Sequence, residues 1–256
     1  MNSIAPPITQ RPILGTFSKG ADGAASLNFC TSGGRYCDRS CKHHPCNAAA
    51  GSTATCYALR AELRPDREEL LHKLQRHEIT DPAELVLRAF QEIQHRVNKG
   101  DTPPWLRIST NGSVPQPDEA SWKFFDRLRL LLAYCREHNI PAHLPVETAE
   151  KAGVYRAALG RTTVVRESVG SVEDFLTARG PVSCTVGRRD QSRLERLADS
   201  ERVAKMRSGK TRRHVIVCPA IAMRYRSPEN KPSAKAKCGN CKACALARFD
   251  TVFPLH

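Results

Sequence analysis

Nine of the eleven cysteines fall in two short stretches of the chain. The first holds Cys30, Cys37, Cys41, Cys46 and Cys56, and its densest part, "CDRSCKHHPC", also brings His43 and His44. The second holds Cys218 and then "KCGNCKACAL", with Cys238, Cys241 and Cys244. An odd total in two tight groups fits metal ligation better than a disulfide framework. The isolated Cys135 and Cys184 fall in apolar helix and strand patterns and read as small core residues.

The second group carries the stronger ligand signal. Its two-residue gaps let successive sulfurs converge on one centre, with the N–H groups of the turns directed at them. Cys218, followed by Pro219, is the expected fourth ligand. Four thiolates suit zinc or a 4Fe–4S cluster, and a closed set of this kind also serves as a structural staple. In the first group Cys37, Cys41 and Cys46 are separated by three and four residues. Three thiolates on one loop leave a metal position open, which chemistry requires. Cys56 is the candidate fourth ligand, with Cys30, His43 and His44 as further candidates, and a second structural zinc is the competing reading. Arg39 and Lys42 beside the thiolates favour the charged form.

A net charge of +14 points to a polyanionic partner. Positive charge is densest from Arg188 to Arg213, and its end, "MRSGKTRRH", contains no acid. Arg207, Lys210, Arg212 and Arg213 are therefore the expected phosphate contacts, against a solvated helix with Arg–Glu pairs as the plainer account. Aromatic residues are only 6% of the chain, which argues against base-stacking platforms. No run of apolar residues is long enough to span a membrane, and the opening "MNSIAPPITQRP" lacks the pattern of a secretory leader. Both predict a cytoplasmic setting, in which thiols stay reduced.

The elements that must position these groups alternate. "AASLNFC" reads as a first strand ending at the cysteine loop, residues 30–56. "TDPAELVLRAFQEIQHRVNKG" is a helix capped by Asp81, with Glu84 set to complete a capping box. "PPWLRIST" is a strand, and "DEASWKFFDRLRLLLAYCREHN" a helix with Phe125, Leu128, Leu132 and Cys135 on one face. "PAHLPVET", "RTTVVRES" and "PVSCTVG" read as strands separated by short helices, and "RRHVIVCPA" as the last strand, ending at Cys218. Trp105, Trp122 and Phe124 read as core. About six strand–helix units of this kind imply a parallel α/β sheet, as an open partial barrel or a doubly wound sheet. Residues 1–217 would form this body and residues 218–256 a cysteine-rich C-terminal extension. Glu147 and Glu167 fall near strand ends, where α/β sheets keep their active sites, although a loop acid paired with a neighbouring Arg reads the same way.

The cysteine loop after a first strand, the segment "TCYALRAE", the α/β alternation and the terminal "CP…CxxCxxC" together resemble the phage gene-product-88 family of unknown function. More distantly the chain is similar to radical S-adenosylmethionine (SAM) enzymes. That second resemblance implies a partial β/α barrel and a 4Fe–4S cluster held by three cysteines, with SAM on the open iron. Cys37 and Cys41 match the first cysteine gap of those enzymes, whereas Cys46 comes two residues late and follows Pro45 instead of an aromatic. "STNGSVP" stands where those enzymes bind the SAM amino group, so Ser109, Thr110, Asn111 and Gly112 are the candidate contacts, without the acid of the family pattern. The resemblance implies an iron–sulfur enzyme in a phage or mobile-element setting, in the host cytoplasm, and the positive charge adds that it acts on or near nucleic acid. The alternative is a non-catalytic zinc protein that binds nucleic acid or another partner.

Overall fold

A computed structural model describes residues 13–16, 24–29, 81–109, 114–116, 121–160, 163–178, 180–186, 214–218 and 242–254. These residues build one eight-stranded sheet. The strands are β1 (Gly15–Thr16), β2 (Ala25–Leu27), β3 (Leu106–Ile108), β4 (Ala142–Val146), β5 (Val164–Val169), β6 (Val182–Val186), β7 (His214–Val217) and β8 (Phe249–Pro254). Their order across the sheet is β1-β2-β3-β4-β5-β6-β8-β7. Strand β1 pairs antiparallel with β2, and every other pairing is parallel.

Among the described residues, four helices follow strands: α1 (Pro82–Asn98), α2 (Trp122–Glu137), α3 (Ala149–Leu159) and α4 (Val172–Thr177). From β2 to β6 the order is sequential, so each crossover steps the same way. Right-handed crossovers that step one way put their helices on one face of the sheet. The core follows: Leu27, Leu106, Ile108, Leu144 and Val165 pack with Val86, Ile93, Leu128, Leu132 and Cys135 of α1 and α2. The expected α/β fold with a parallel sheet is therefore present.

Local chemistry explains the helix starts. Asp81 accepts from the N–H of Ala83, Thr148 from Lys151 and Ser171 from Asp174, each supplying an acceptor to a first-turn donor. Glu84 does not show the expected reciprocal cap; its carboxylate faces Arg127 Nη1 of α2 at 3.4 Å. Pro145 is accommodated inside β4 because pairing with β3 stops at His143, so no donor is required on that side further along.

Three expectations need correction. The cysteine loop follows the second strand, because the two-residue β1 precedes it at the sheet edge. Strand β7 is not the last: β8, from "FDTVFP", inserts between β6 and β7 and pairs with both. Residues 218–256 thus contribute an interior strand to the same sheet as residues 25–217. Trp122, read as core, is 64% exposed at the first turn of α2, where the flanking Phe124 and Phe125 take the buried positions.

The β7-to-β8 connection steps opposite to the earlier crossovers. By the same handedness rule it belongs on the face away from the helices. The described end of that connection, Lys242–Leu246, lies there, with a 3-10 turn at Ala243–Ala245. Lys242 opens the turn in the left-handed region at φ 50°.

Candidate functional site

The second face of the sheet is polar, and strand register defines it. Ser26 pairs with Arg107, and Arg107 with His143. His143 pairs with Val164, and Pro145 with Arg166. Alternation puts these residues on the face opposite Leu27, Leu106, Leu144 and Val165. Ser26 and His143 are buried, and Arg166 is 0% exposed.

Arg166 is the anchor of this face. Its Nε donates to the carbonyl of Cys244 at 2.6 Å. Nη1 donates to Val182 at 3.0 Å and Phe249 at 2.8 Å. Nη2 donates to Ala243 at 3.1 Å and Leu246 at 2.8 Å. All five acceptors are main-chain carbonyls, four of them from the C-terminal cysteine segment and the start of β8. A guanidinium presents five N–H groups in a rigid fork, so one side chain fixes the path of this whole turn.

Beside it stands His143, whose ring lies 5.1 Å from that of Trp105, centroid to centroid. Trp105 packs with Ala24 and Ala245, and Cys244 packs against this group. Burial, then the positive charge of Arg107 and of Arg166, holds the His143 imidazole well below its ordinary pKa, so it is neutral at pH 7. Its Nδ1 is buried and has no hydrogen-bond partner among the described residues.

The carboxyl ends of the parallel strands form the other candidate region. Buried Asn28 and Phe29 continue β2 up to the cysteine loop. Ser109 ends β3 with its N–H on the carbonyl of Leu27 at 2.7 Å. It is 2% exposed and adopts φ 59°, a left-handed backbone that is uncommon outside glycine and asparagine. Glu147 lies one residue beyond β4 and pairs with Lys151 Nζ at 3.3 Å. Lys151 is 9% exposed, so this pair is screened less than a surface one. Tyr155 of α3 donates to the carbonyls of Val114 and Pro115 and so ties down the segment that follows "STNGS". Burial and the charge of Glu147 raise the Tyr155 pKa, keeping the hydroxyl a donor. Glu167 is in register with Val146 and Val182, both core residues of the helix-covered face.

Of the expected C-terminal ligands, Cys218 and Cys244 are described. Cys218 follows the carboxyl end of β7, with its N–H on the carbonyl of Val252. Cys244 precedes the amino end of β8, beside Trp105 at the amino end of β3. The two cysteines therefore stand at opposite ends of the β7–β8 ladder. Cys30, Cys37, Cys41, Cys46, Cys56, His43 and His44 lie outside the described residues, as do Thr110, Asn111 and Gly112, Arg207, Lys210, Arg212 and Arg213, and Cys238 and Cys241. Among the described residues alone, no group of three His, Cys, Asp or Glu side chains converges. An open groove of about 320 Å³ at the amino ends of β4 and β5 is lined by Ile140, Ala142, Val164 and Ala245, among others. Among the described residues, no helix is long and apolar enough to cross a membrane.

Sequence reasoning missed Arg166 and His143. Each sits in a strand whose neighbours alternate, and a polar residue at such a position reads as facing water. The signal that was there is the cysteine-rich tail itself, which needs a surface to dock on. No protein-family model, curated protein or solved structure matches this chain.

Proposed function

We propose that this chain is an iron–sulfur metalloprotein, radical-SAM-like in design, that acts on or near nucleic acid in the cytoplasm of a phage-infected or element-bearing host. The observation that carries this reading is the run of parallel strands β2 to β5 in sequential order. Their carboxyl ends share one edge of the sheet, and β2 runs buried to Phe29 before the chain enters the cysteine loop. Sequential winding with helices on one face is also what a partial barrel requires. Ligands of parallel sheets bind outside the carboxyl ends of the strands.

The residues suit the group that the reading calls for. Cys37, Cys41 and Cys46 would hold the cluster, with Cys56 as the ligand that would close it. The left-handed, buried backbone of Ser109 is a strained position at the strand end where SAM's polar groups would be met. When bound, the cluster would supply an electron to SAM. Glu147 and Lys151 form a charged pair at the same edge. The run from Arg207 to Arg213 would hold nucleic acid by its phosphates, with little sequence preference and a strong dependence on salt.

Anaerobic purification followed by metal analysis and absorption spectroscopy tests this reading. A cluster chromophore that is lost in Cys37→Ser, and that changes on adding SAM, is the expected result. The same SAM response in Cys56→Ala would mark an open iron. Zinc alone in the anaerobic protein would overturn the cluster reading in favour of a non-catalytic zinc protein that binds nucleic acid.

A further inference from the structure

We propose that Ser26, Arg107 and His143, one row across the polar face of the sheet, bind a small phosphate group, with Arg166 behind them. All four residues are described, and the site is independent of the iron–sulfur reading.

Strand register assembles the row. Ser26 pairs with Arg107 and Arg107 with His143, so the three stand side by side on β2, β3 and β4. Neighbouring strands lie about 4.8 Å apart, so three side chains can meet one compact ligand. Arg166 is the diagonal neighbour on β5, opposite Pro145. Trp105 stacks with His143 and packs with Ala245, which walls the row off from the cysteine turn.

The charge on this face is one-sided. Arg107 and Arg166 are the charges that act most on the His143 imidazole. The two acids of the described strands belong to the other face. Glu167 is in register with Val146 and Val182, and Asp250 with Val215, all three packed under the helices. Buried positive charge of this kind favours an anion.

His143 Nδ1 supplies the second observation. It is buried, in a residue 2% exposed, and has no hydrogen-bond partner among the described residues. A buried polar atom in that state is costly, and a ligand that satisfies it removes the cost. With its proton on Nδ1 the imidazole donates to an oxyanion while staying neutral. Arg166 gives its N–H groups to five carbonyls, so it contributes charge to the site and no contact. Arg107 is only half-buried, so the ligand reaches the row from its side. A guanidinium fork, a hydroxyl and an imidazole N–H together suit a tetrahedral oxyanion rich in acceptors.

The test uses the full-length chain with inorganic phosphate as the probe. Calorimetry should show one equivalent bound, and the 15N signals of the His143 ring, identified by their loss in His143→Phe, should move on titration. Arg107→Leu should weaken binding about 30-fold or more, and His143→Phe about 10-fold or more. Ser26→Ala should weaken it less. Lys99→Gln, which alters an exposed cation at the end of α1, should bind as the wild type does. Phosphate held equally by Arg107→Leu and His143→Phe would place it elsewhere and overturn the proposal. Acetate bound as tightly as phosphate would overturn the ligand class. A nucleoside 5′-monophosphate that displaces phosphate would support an ester as the natural ligand, and failure to displace it would support free phosphate. Should the variants not fold, the wild type decides: His143 ring signals unmoved by saturating phosphate overturn the site.

Discussion

The two faces of the sheet solve the same burial problem with different chemistry. The helix-covered face is closed by aliphatic and aromatic side chains, with Phe29, Phe124, Phe125 and Tyr155 meeting ring to ring. The opposite face is closed, as far as it is described, by a turn of main chain held under Arg166. Apolar packing is non-directional and tolerant of small shifts. A fork of hydrogen bonds to carbonyls specifies one path and tolerates none. The first face gives stability to the body, and the second gives position to the cysteine segment.

Breaking the second face should have the larger effect. Arg166→Leu leaves five carbonyls without their donor, and unsatisfied buried groups cost about 1–3 kcal/mol each, though not additively. We expect a loss of about 4 kcal/mol or more in denaturant unfolding. Proteolysis should then cleave near residues 242–248 before it attacks the helices. Cleavage elsewhere first would mean that the clamp is not what holds the turn. Leu128→Ala tests the first face, where a fully buried leucine becomes a cavity. It should lower stability by about 2–5 kcal/mol while the C-terminal segment keeps its protection.

Cys135 sharpens the comparison by pH. Burial raises its thiol pKa from 9.0 to about 12 in the folded chain. Below pH 9 the thiol is protonated in both states and its contribution is whole. As pH rises from 9 toward 12, only the unfolded chain gives up the proton, so this contribution to stability is lost. A Cys135→Ala variant should therefore show a flatter decline of melting temperature over that range. Native Cys135 should also resist alkylation at pH 8 under conditions that label it in urea. Ser171→Ala removes a single helix cap and should cost about 1 kcal/mol. Trp122→Ser should stay within about 0.5 kcal/mol, because the side chain is exposed.

The helix-covered face was legible in the sequence because its physics is periodic. Phe125, Leu128, Leu132 and Cys135 recur at helical spacing and are buried. The strands around Leu106, Leu144, Val165 and Val182 are bounded by turn residues and are present. Trp122 fits the pattern less well than its neighbours because one turn of helix offers both faces, and size alone suggested burial. The polar face was illegible. Nothing local in "VVRES" distinguishes a guanidinium buried under a distant turn from one in water. Only the pairing of Arg166 with residues about 80 positions away supplies that information. Strand β8 was hidden because "FDTVFP" is short, ends in proline and follows a cysteine cluster that drew the reading toward metal. The metal ligands themselves were read from spacing. Of the second set the described residues hold Cys218 and Cys244, which stand apart.

The position of β8 has a consequence for the order in which the sheet can be assembled. Strand β7 emerges from the ribosome before β8, yet its one neighbour among the described strands is β8. Until residues 249–254 arrive, β6 is left as an open edge and β7 has no lateral partner. The body from β2 to β6 can nucleate during synthesis, since each of its strands follows its neighbour in sequence. The remaining quarter of the sheet waits until β8 has been synthesised, with unsatisfied edges that invite association between nascent chains. A ribosome stalled between β7 and β8 would therefore release a product that is prone to aggregate, and the same interval is where a chaperone would have to act.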